Sequence, residues 1–119
     1  MAQHNDFGRW GEDLAEQYLI DHDYAIVERD WHSGHRDIDI IAVKDYTYVF
    51  VEVKTRRNTD FGDPIESIDY KKRNNLRVAI AHYLHTHDNI LESRVDVISI
   101  VAPTPYDVKI EHIEDISLL

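Results

Sequence analysis

The sequence predicts an α/β protein in which a mixed central sheet is flanked by two helices. Two segments carry apolar residues at helical spacing. The segments between and after them are rich in β-branched and aromatic residues, which either alternate with polar residues or form continuous runs. Two of these strand segments are joined by a tight turn. The elements follow the order helix, three strands, helix, strand, which we write as an αβββαβ core. At 119 residues the chain is expected to form a single domain over residues 1–119.

The first helix is predicted over Phe7–His22. Its apolar stripe recurs every three or four residues, and Asp6 is expected to be its N-cap. Glu12 lies on the flank of this stripe, where a carboxylate can lean over the edge of a sheet that the helix packs on. An ordinary solvated glutamate in the first turn, favoured by the helix dipole, is the alternative interpretation.

Three strands are predicted to form a meander at Tyr24–Asp30, Asp37–Lys44 and Tyr46–Thr55. The segment 31–34 (WHSG) resembles a turn between the first two strands. Lys44-Asp45 suits a hairpin turn between the second and third strands.

The second half begins with a loop at Asn58–Ile65, which contains a glycine and a proline. A second helix is predicted over Ile68–Thr86. Further strands are expected at Arg94–Val101 and Val108–Ile113, with Pro103 and Pro105 marking the turn between them. Within the fourth strand, Asp96 is a lone acid, which we interpret as an exposed edge residue or a pairing residue.

Three charged residues interrupt the apolar second and third strands, namely Asp39, Glu52 and Lys54. Residues two apart in a strand point to the same face, so Glu52 and Lys54 share a face, and correct hairpin register would bring Asp39 to them. Such charges are costly to bury unless they are paired or bound to metal. Two carboxylates on a rigid sheet suit Mg²⁺ or Mn²⁺, and a nearby ammonium can offset charge on a phosphate. A half-solvated strand that alternates polar and apolar residues is the alternative.

The formal net charge of −10 argues against a general nucleic-acid binder, because phosphate contacts supply most of the affinity of such proteins. The charge is unevenly distributed. Between residues 54 and 77 lie seven basic and four acidic residues, a net charge of +3. The candidate nucleic-acid-binding residues are Arg56, Arg57, Lys71, Lys72 and Arg73. A solvated surface loop is the alternative for this segment.

The chain contains no cysteine, which excludes disulfides and thiolate metal sites and fits a reducing compartment. No stretch approaches the roughly 18 apolar residues of a membrane span, so no membrane association is expected. The first ten residues lack the apolar core of a signal peptide. A cytoplasmic location is therefore expected.

Several separate segments resemble one family of small bacterial proteins. They are 8–15 (GRWGEDLA), 37–42 (DIDIIA), 49–56 (VFVEVKTR), 61–64 (FGDP) and 94–98 (RVDVI). In this order and spacing they are similar to the YraN-like family, within the PD-(D/E)XK superfamily of restriction-endonuclease-like folds. One departure is Arg36-Asp37, where the family usually has Gly-Glu.

The resemblance implies specific roles. Archaeal Holliday-junction resolvases, which are relatives by fold, take a glutamate from the first helix, and Glu12 matches it by position. By the same analogy Asp39, Glu52 and the backbone carbonyl of Val53 would hold the metal. Lys54 would position the attacking water or stabilise the transition state.

The implied function is metal-dependent hydrolysis of DNA, with branched or structured forms included and RNA left open. Two alternatives stay open at this point: a nucleic-acid-binding module without catalysis, and a protein-interaction domain that reuses the fold. The protein is expected to be a monomer or a homodimer.

Overall fold

The computed structural model describes residues 2–58, 60 and 62–119, with the side chains of 2–5 and 67 excepted. Two helices and five strands are found in this part of the chain. In chain order they are α1 (Ala2–Asp21), β1 (Ala25–Ser33), β2 (Arg36–Lys44), β3 (Thr47–Arg56), α2 (Tyr70–Thr86), β4 (Ser93–Thr104) and β5 (Asp107–Ile113). A short 3₁₀ turn at Ile65–Ser67 precedes α2.

The five strands form one sheet in the order β1-β2-β3-β4-β5. Every neighbouring pair is antiparallel except β3 and β4, which run parallel. A parallel pair needs a long crossover connection, and α2 lies in that connection. The predicted mixed α/β sheet with two flanking helices is therefore confirmed.

Each helix covers one face of the sheet, because each buries one apolar stripe. Ala15 and Leu19 of α1 pack on one face of the sheet. Their neighbours there include Ile40 of β2, Val51 of β3 and Ile98 of β4. The other face is covered by α2, whose buried residues are Leu76, Ala79, Ile80 and Tyr83. They pack against Ile38, Ile41 and Phe50. The sheet is thus buried on both sides around β2 and β3.

A glycine brings α1 into direct contact with the end of β3. A Cβ placed on Gly11 would overlap Oγ1, Cβ and Cγ2 of Thr55. No other residue type fits between the helix backbone and this strand without displacing one of them. The next residue along α1 is Glu12, so this close approach also brings the carboxylate of Glu12 to the sheet.

The structure corrects three sequence-based boundaries in the first half. The helix α1 begins at Ala2, so the prediction that Asp6 is its N-cap is wrong; the residues before Asp6 include no helix breaker. The strand β1 continues through the segment predicted as a turn, because Trp31 pairs with Ile38, and the turn follows at Gly34, with φ of 64°. The β2–β3 turn uses Asp45 and Tyr46, both with positive φ.

The fourth strand also differs from the prediction. It runs to Thr104, so Pro103 belongs to the strand, where a register shift between Val101 and Thr104 accommodates the missing N–H. Asp96 lies in the fully covered part of β4 with 0% exposure, so the exposed-edge interpretation is wrong. The pairing interpretation is confirmed, because Asp96 contacts Arg94 at 3.0 Å and His112 at 2.7 Å.

No helix within the described residues has the length and apolar character needed to cross a membrane.

Candidate active site

The candidate site lies where β2 and β3 separate. Their paired register runs from Lys44↔Thr47 to Ile40↔Val51 and stops there. Side-chain alternation is interrupted at the same place, because Ile38 and Ile41 both pack on the α2 side whereas Ile40 packs on the α1 side. Asp39 occupies the interruption. Its Oδ2 accepts a hydrogen bond from the backbone N–H of Val53 at 2.9 Å, so the carboxylate lies between the two strands.

A cavity of about 380 Å³ opens at this break, between the start of α1 and the start of α2. Its lining residues are Gly8, Glu12, Asp39, Glu52, Val53, Lys54, Thr55, Ile68, Asp69 and Lys72. The four residues predicted to be catalytic are all among them: Glu12, Asp39, Glu52 and Lys54. The fold therefore brings these residues together from three elements, although their chemical roles stay predictions.

Glu52, on β3, is the least exposed of the carboxylates that line the cavity. It is 4% exposed, and its Oε2 lies 3.2 Å from Nζ of Lys72. Its other oxygen, Oε1, is buried and has no hydrogen-bond donor among the described residues. Burial and the neighbouring Asp39 raise the pKa of Glu52 to about 8, even though Lys72 acts in the opposite direction. An oxygen that lacks a donor beside a second carboxylate is well placed to accept a cation.

The carboxylates of Asp39 and Glu12 are shifted in the same direction. Burial raises the pKa of Asp39 above its ordinary value, and the N–H of Val53 offsets part of the increase. Burial, Asp39 and Asp30 together raise the pKa of Glu12 to about 7. The guanidinium of Arg29 lies 3.3 Å from Oε1 of Glu12 and limits this increase.

Asp30 is a further member of this cluster and was not among the predicted site residues. Carboxylate oxygens of Glu12, Asp30 and Asp39 all lie within 4.8 Å of one another. The β1–β2 register places Asp30 opposite Asp39, and Asp30 adopts a positive φ of 51°. No local sequence signal marks it, because its position depends on strand pairing and on the irregularity at the end of β1.

The residues present fit a hard divalent cation such as Mg²⁺ or Mn²⁺, which prefers oxygen ligands. Asp39 and Glu52 supply carboxylate oxygens, and the donor-free oxygen of Glu52 supports the fit. In a strand, the N–H and the carbonyl of one residue point to the same side. Because the N–H of Val53 points to Asp39, its carbonyl is also directed to that side. The predicted ligand set of Asp39, Glu52 and the Val53 carbonyl is thus geometrically compatible.

Two lysines line the cavity in different ways. Lys54 is half-buried on the wall and makes no ion pair within the described part of the chain. Lys72 comes from the first turn of α2, which Asp69 caps by accepting from the N–H of Lys72 at 2.8 Å. Burial alone would lower the pKa of Lys72, but Glu52 and Asp39 outweigh that effect and raise it. Lys72 was predicted to bind nucleic acid, and its contact with Glu52 depends on the packing of α2 on the sheet, which no sequence pattern specifies.

The other four predicted nucleic-acid-binding residues are not among those that line the cavity. Arg56 donates from NH1 to the carbonyl of Gly62 at 3.0 Å. Arg57 is exposed, and its guanidinium lies 4.1 Å from the centre of the Phe7 ring. Lys71 is exposed at the start of α2.

Arg73 has a different environment. Its guanidinium donates to three backbone carbonyls, those of Ile68, Ser117 and Ile65, at 2.9, 2.9 and 3.3 Å. These bonds tie α2 to the preceding 3₁₀ turn and to the C-terminal segment. The geometry therefore favours a structural role for Arg73.

The element order and the acids at the break between β2 and β3 define an α/β protein with a restriction-endonuclease-like core. The family model described as "Uncharacterised protein family UPF0102" matches residues 11–100, and the chain belongs to this family, which is the YraN-like family. A UPF0102 protein of Phocaeicola vulgatus is 41% identical over 116 residues, covering 97% of this chain and 94% of the relative.

Two further UPF0102 proteins show similar coverage. The one from Flavobacterium psychrophilum is 42% identical over 97% of this chain and 96% of the relative. The one from Syntrophomonas wolfei is 42% identical over 91% of this chain and 94% of the relative. The similarity therefore extends through both helices and the strands that form the cavity.

Proposed function

We propose that this protein is a divalent-metal-dependent phosphodiesterase that hydrolyses the backbone of DNA, including branched or structured DNA. The observation that carries the proposal is the convergence of Glu12, Asp39, Glu52 and Lys54 on one cavity of about 380 Å³. These residues come from α1, β2 and β3. Their meeting depends on the opening of the β2–β3 pair, which a purely structural sheet does not need.

The charges in the cavity support this proposal over an idle site. Four carboxylates are close together (Glu12, Asp30, Asp39 and Glu52), and Glu12, Asp39 and Glu52 have a raised pKa. Clustering ionised carboxylates in a partly buried site costs stability unless a cation or protons neutralise them. Functional sites are where such costs are concentrated.

The chain's own residues would then have distinct roles. Asp39, Glu52 and the carbonyl of Val53 would hold the metal ion. A divalent ion bound there supplies Lewis acidity: it lowers the pKa of a bound water and neutralises charge on the phosphate. Lys54, which has no carboxylate partner in the described structure, is free to orient the water or contact a phosphate oxygen. Lys72 would hold Glu52 in its ligand position through the 3.2 Å contact.

The test is a cleavage assay on linear single-stranded, linear double-stranded and four-way-branched DNA, with Mg²⁺, Mn²⁺ or EDTA. We expect metal-dependent cleavage by the wild type and at least a hundredfold loss in Glu52→Gln and Lys54→Met, as is typical when a group that stabilises a transition state is removed (on the order of 3 kcal/mol). Glu111→Gln, an exposed glutamate on β5, is the matched control and should cleave like the wild type. Cleavage that is equal in all four proteins would refute the assignment.

A binding assay with the same DNA forms separates the alternative functions. A binding module without catalysis would retain DNA in EDTA, would lose it on Lys71→Glu, and would be indifferent to Glu52→Gln. A protein-interaction domain, for which the net charge of −10 is the supporting observation, would show no affinity for any of the DNA forms at low salt.

A further inference from the structure

An open aromatic cleft lies beside the candidate active site. It has a volume of about 510 Å³ and is lined by Asp6, Phe7, Trp10, Arg57 and Pro105. Phe7 and Trp10 lie one helical turn apart on α1, with ring centres 5.8 Å apart and ring planes inclined by 14°. The guanidinium of Arg57 lies 4.1 Å from the centre of the Phe7 ring. The cleft thus combines flat π-surfaces with a cation that is exposed to solvent.

The cleft and the cavity are lined by different residues of the same two segments, the start of α1 and the end of β3. On α1, Gly8 and Glu12 line the cavity, whereas Phe7 and Trp10 line the cleft. Around the end of β3, Thr55 lines the cavity and Arg57 lines the cleft. The cleft and the cavity therefore adjoin at the start of α1 and at the end of β3.

We infer that this cleft is a stacking subsite for an unpaired nucleobase adjacent to the phosphate that is cleaved. The inference rests on the proposed function and names its substrate class: nucleic acid with a single-stranded or flipped-out nucleotide at the cut, as opposed to continuous duplex. Proteins that bind single strands stack bases on aromatic side chains and arginine, and they do so with little regard to base identity. A base inside a regular duplex presents no free face to such a cleft.

The charge of the surroundings agrees with this occupant. Arg57 at the cleft and Lys54 at the cavity flank the path that the backbone would follow, and both are cationic. Asp6 at the rim is an exposed hydrogen-bond acceptor, which suits the exocyclic amino group of a base and repels a phosphate. An anionic group entering the cleft is therefore attracted to Arg57, and a base can stack on the planar groups of Arg57, Phe7 and Trp10 that line the cleft.

Tryptophan fluorescence can test the inference, because the chain has two tryptophans and they lie in different places. Trp31 packs edge-on against Tyr83 on the α2 side, with ring centres 5.2 Å apart. In a Trp31→Phe background, Trp10 is the remaining reporter. This protein is titrated in EDTA with a short single-stranded oligonucleotide, with the same sequence as a blunt duplex, and with an oligonucleotide made entirely of abasic sites.

We expect the base-bearing single strand to quench Trp10, and we expect the duplex and the abasic strand to leave it nearly unchanged. Phe7→Leu and Arg57→Gln should each weaken binding of the single strand by roughly tenfold, the loss typical of one stacked base. Arg9→Gln removes the same charge from an exposed position on α1 outside the cleft and is the matched control. It should weaken binding far less than Arg57→Gln does.

The inference is overturned if the abasic strand quenches as well as the base-bearing one, if no strand binds, or if Phe7→Leu and Arg57→Gln both bind like Arg9→Gln. Cleavage is measured separately on the same proteins. Metal-dependent cleavage with normal binding by the cleft variants would refute the stacking subsite and support the nuclease assignment. Base-dependent quenching without cleavage in any metal would keep the subsite and remove the nuclease.

Discussion

Asp39 accepts a hydrogen bond from the backbone N–H of Val53 at 2.9 Å, across the gap where β2 and β3 separate. This bond replaces a strand-to-strand bond that the open hairpin no longer makes, so the N–H of Val53 is satisfied although the ladder has ended. It also fixes one carboxylate oxygen of a residue that lines the cavity. The break in the sheet and the position of the acid are therefore parts of one local arrangement.

The contact between Gly11 and Thr55 leads to a stability prediction. A Cβ on Gly11 would overlap three side-chain atoms of Thr55, and overpacking of this kind costs about 1–3 kcal/mol. The gain from replacing glycine in a helix, about 1 kcal/mol, offsets part of it. We expect Gly11→Ala to lower the free energy of unfolding by up to about 2 kcal/mol in urea denaturation.

Gly8→Ala is the matched control on the same helix. A Cβ there meets nothing within 4 Å, so the substitution should leave stability unchanged or raise it by up to about 1 kcal/mol. If both variants are equally stable, then α1 does not approach β3 as closely as the structure describes.

The raised pKa of Glu52 predicts how stability depends on pH in the absence of metal. The unfolded chain releases this proton near pH 4.3, whereas the folded protein holds it until about pH 8. Between these values the folded state binds more protons than the unfolded state. The contribution of Glu52 to stability is therefore fully present below about pH 4.3 and is lost as pH rises to about 8. Thermal unfolding in EDTA should therefore show a melting temperature that falls across this window.

Glu52→Gln removes the titrating group while keeping its shape, and we expect it to flatten part of this fall. The rest comes from Glu12, with its pKa of about 7, and from Asp39, whose pKa burial also raises. Mn²⁺ at pH 8 should raise the melting temperature of the wild type and raise that of Glu52→Gln less, because a ligand that binds the folded state stabilises it by mass action. A wild-type stability that rises steadily from pH 5 to pH 8 in EDTA would contradict the described environment of Glu52.

The contact between Lys72 and Glu52 predicts the effect of removing the lysine. The ammonium lies 3.2 Å from Oε2 of Glu52 and lowers the pKa of that carboxyl. We expect Lys72→Gln to raise the pKa of Glu52 above its wild-type value, as measured by NMR of ¹³C-labelled glutamate carboxyls. Lys71→Gln, which removes the neighbouring exposed charge, should leave the value nearly unchanged. Equal effects of the two substitutions would show that long-range charge and not this contact is responsible.

Asp96 lies away from the cavity, and we expect its replacement to cause a large loss of stability. It is fully buried and is bonded to Arg94, to His112 and to the backbone N–H of Asp115. Although burial acts in the opposite direction, these partners lower the pKa of Asp96, so its contribution is present above its ordinary pKa and lost as pH falls through the lowered value.

Breaking a buried ionic network by removing one charge costs about 3 kcal/mol or more, so Asp96→Asn should unfold at clearly lower denaturant concentration. Asp107→Asn, an exposed aspartate on β5, should stay within about 0.5 kcal/mol of the wild type. Mn²⁺ binding by the folded fraction of Asp96→Asn should be unchanged, because Asp96 does not line the cavity. A variant as stable as the wild type would show that the network contributes little.

The sequence by itself determined the class of the fold and the strands that carry the acids. The apolar stripe of α2, with Leu76 and Tyr83 buried, follows from helical periodicity, and the hairpin that holds Glu52 follows from the residue types of its strands. These features depend on neighbouring residues, whose spacing is set by backbone geometry. Glu12 could be placed on the flank of α1 in the same way, but periodicity did not predict that its carboxylate lies beside those of Asp30 and Asp39.

Only the tertiary structure decided which distant residues meet. Asp30 joins the acids through the β1–β2 register, Lys72 reaches Glu52 because α2 crosses over the sheet, and Asp96 is buried because β4 lies between two strands. The start of α1 before Asp6 was likewise misjudged, because weak local preferences do not specify where a helix begins. Periodicity describes the faces of one element, whereas contacts between elements depend on packing that no single segment encodes.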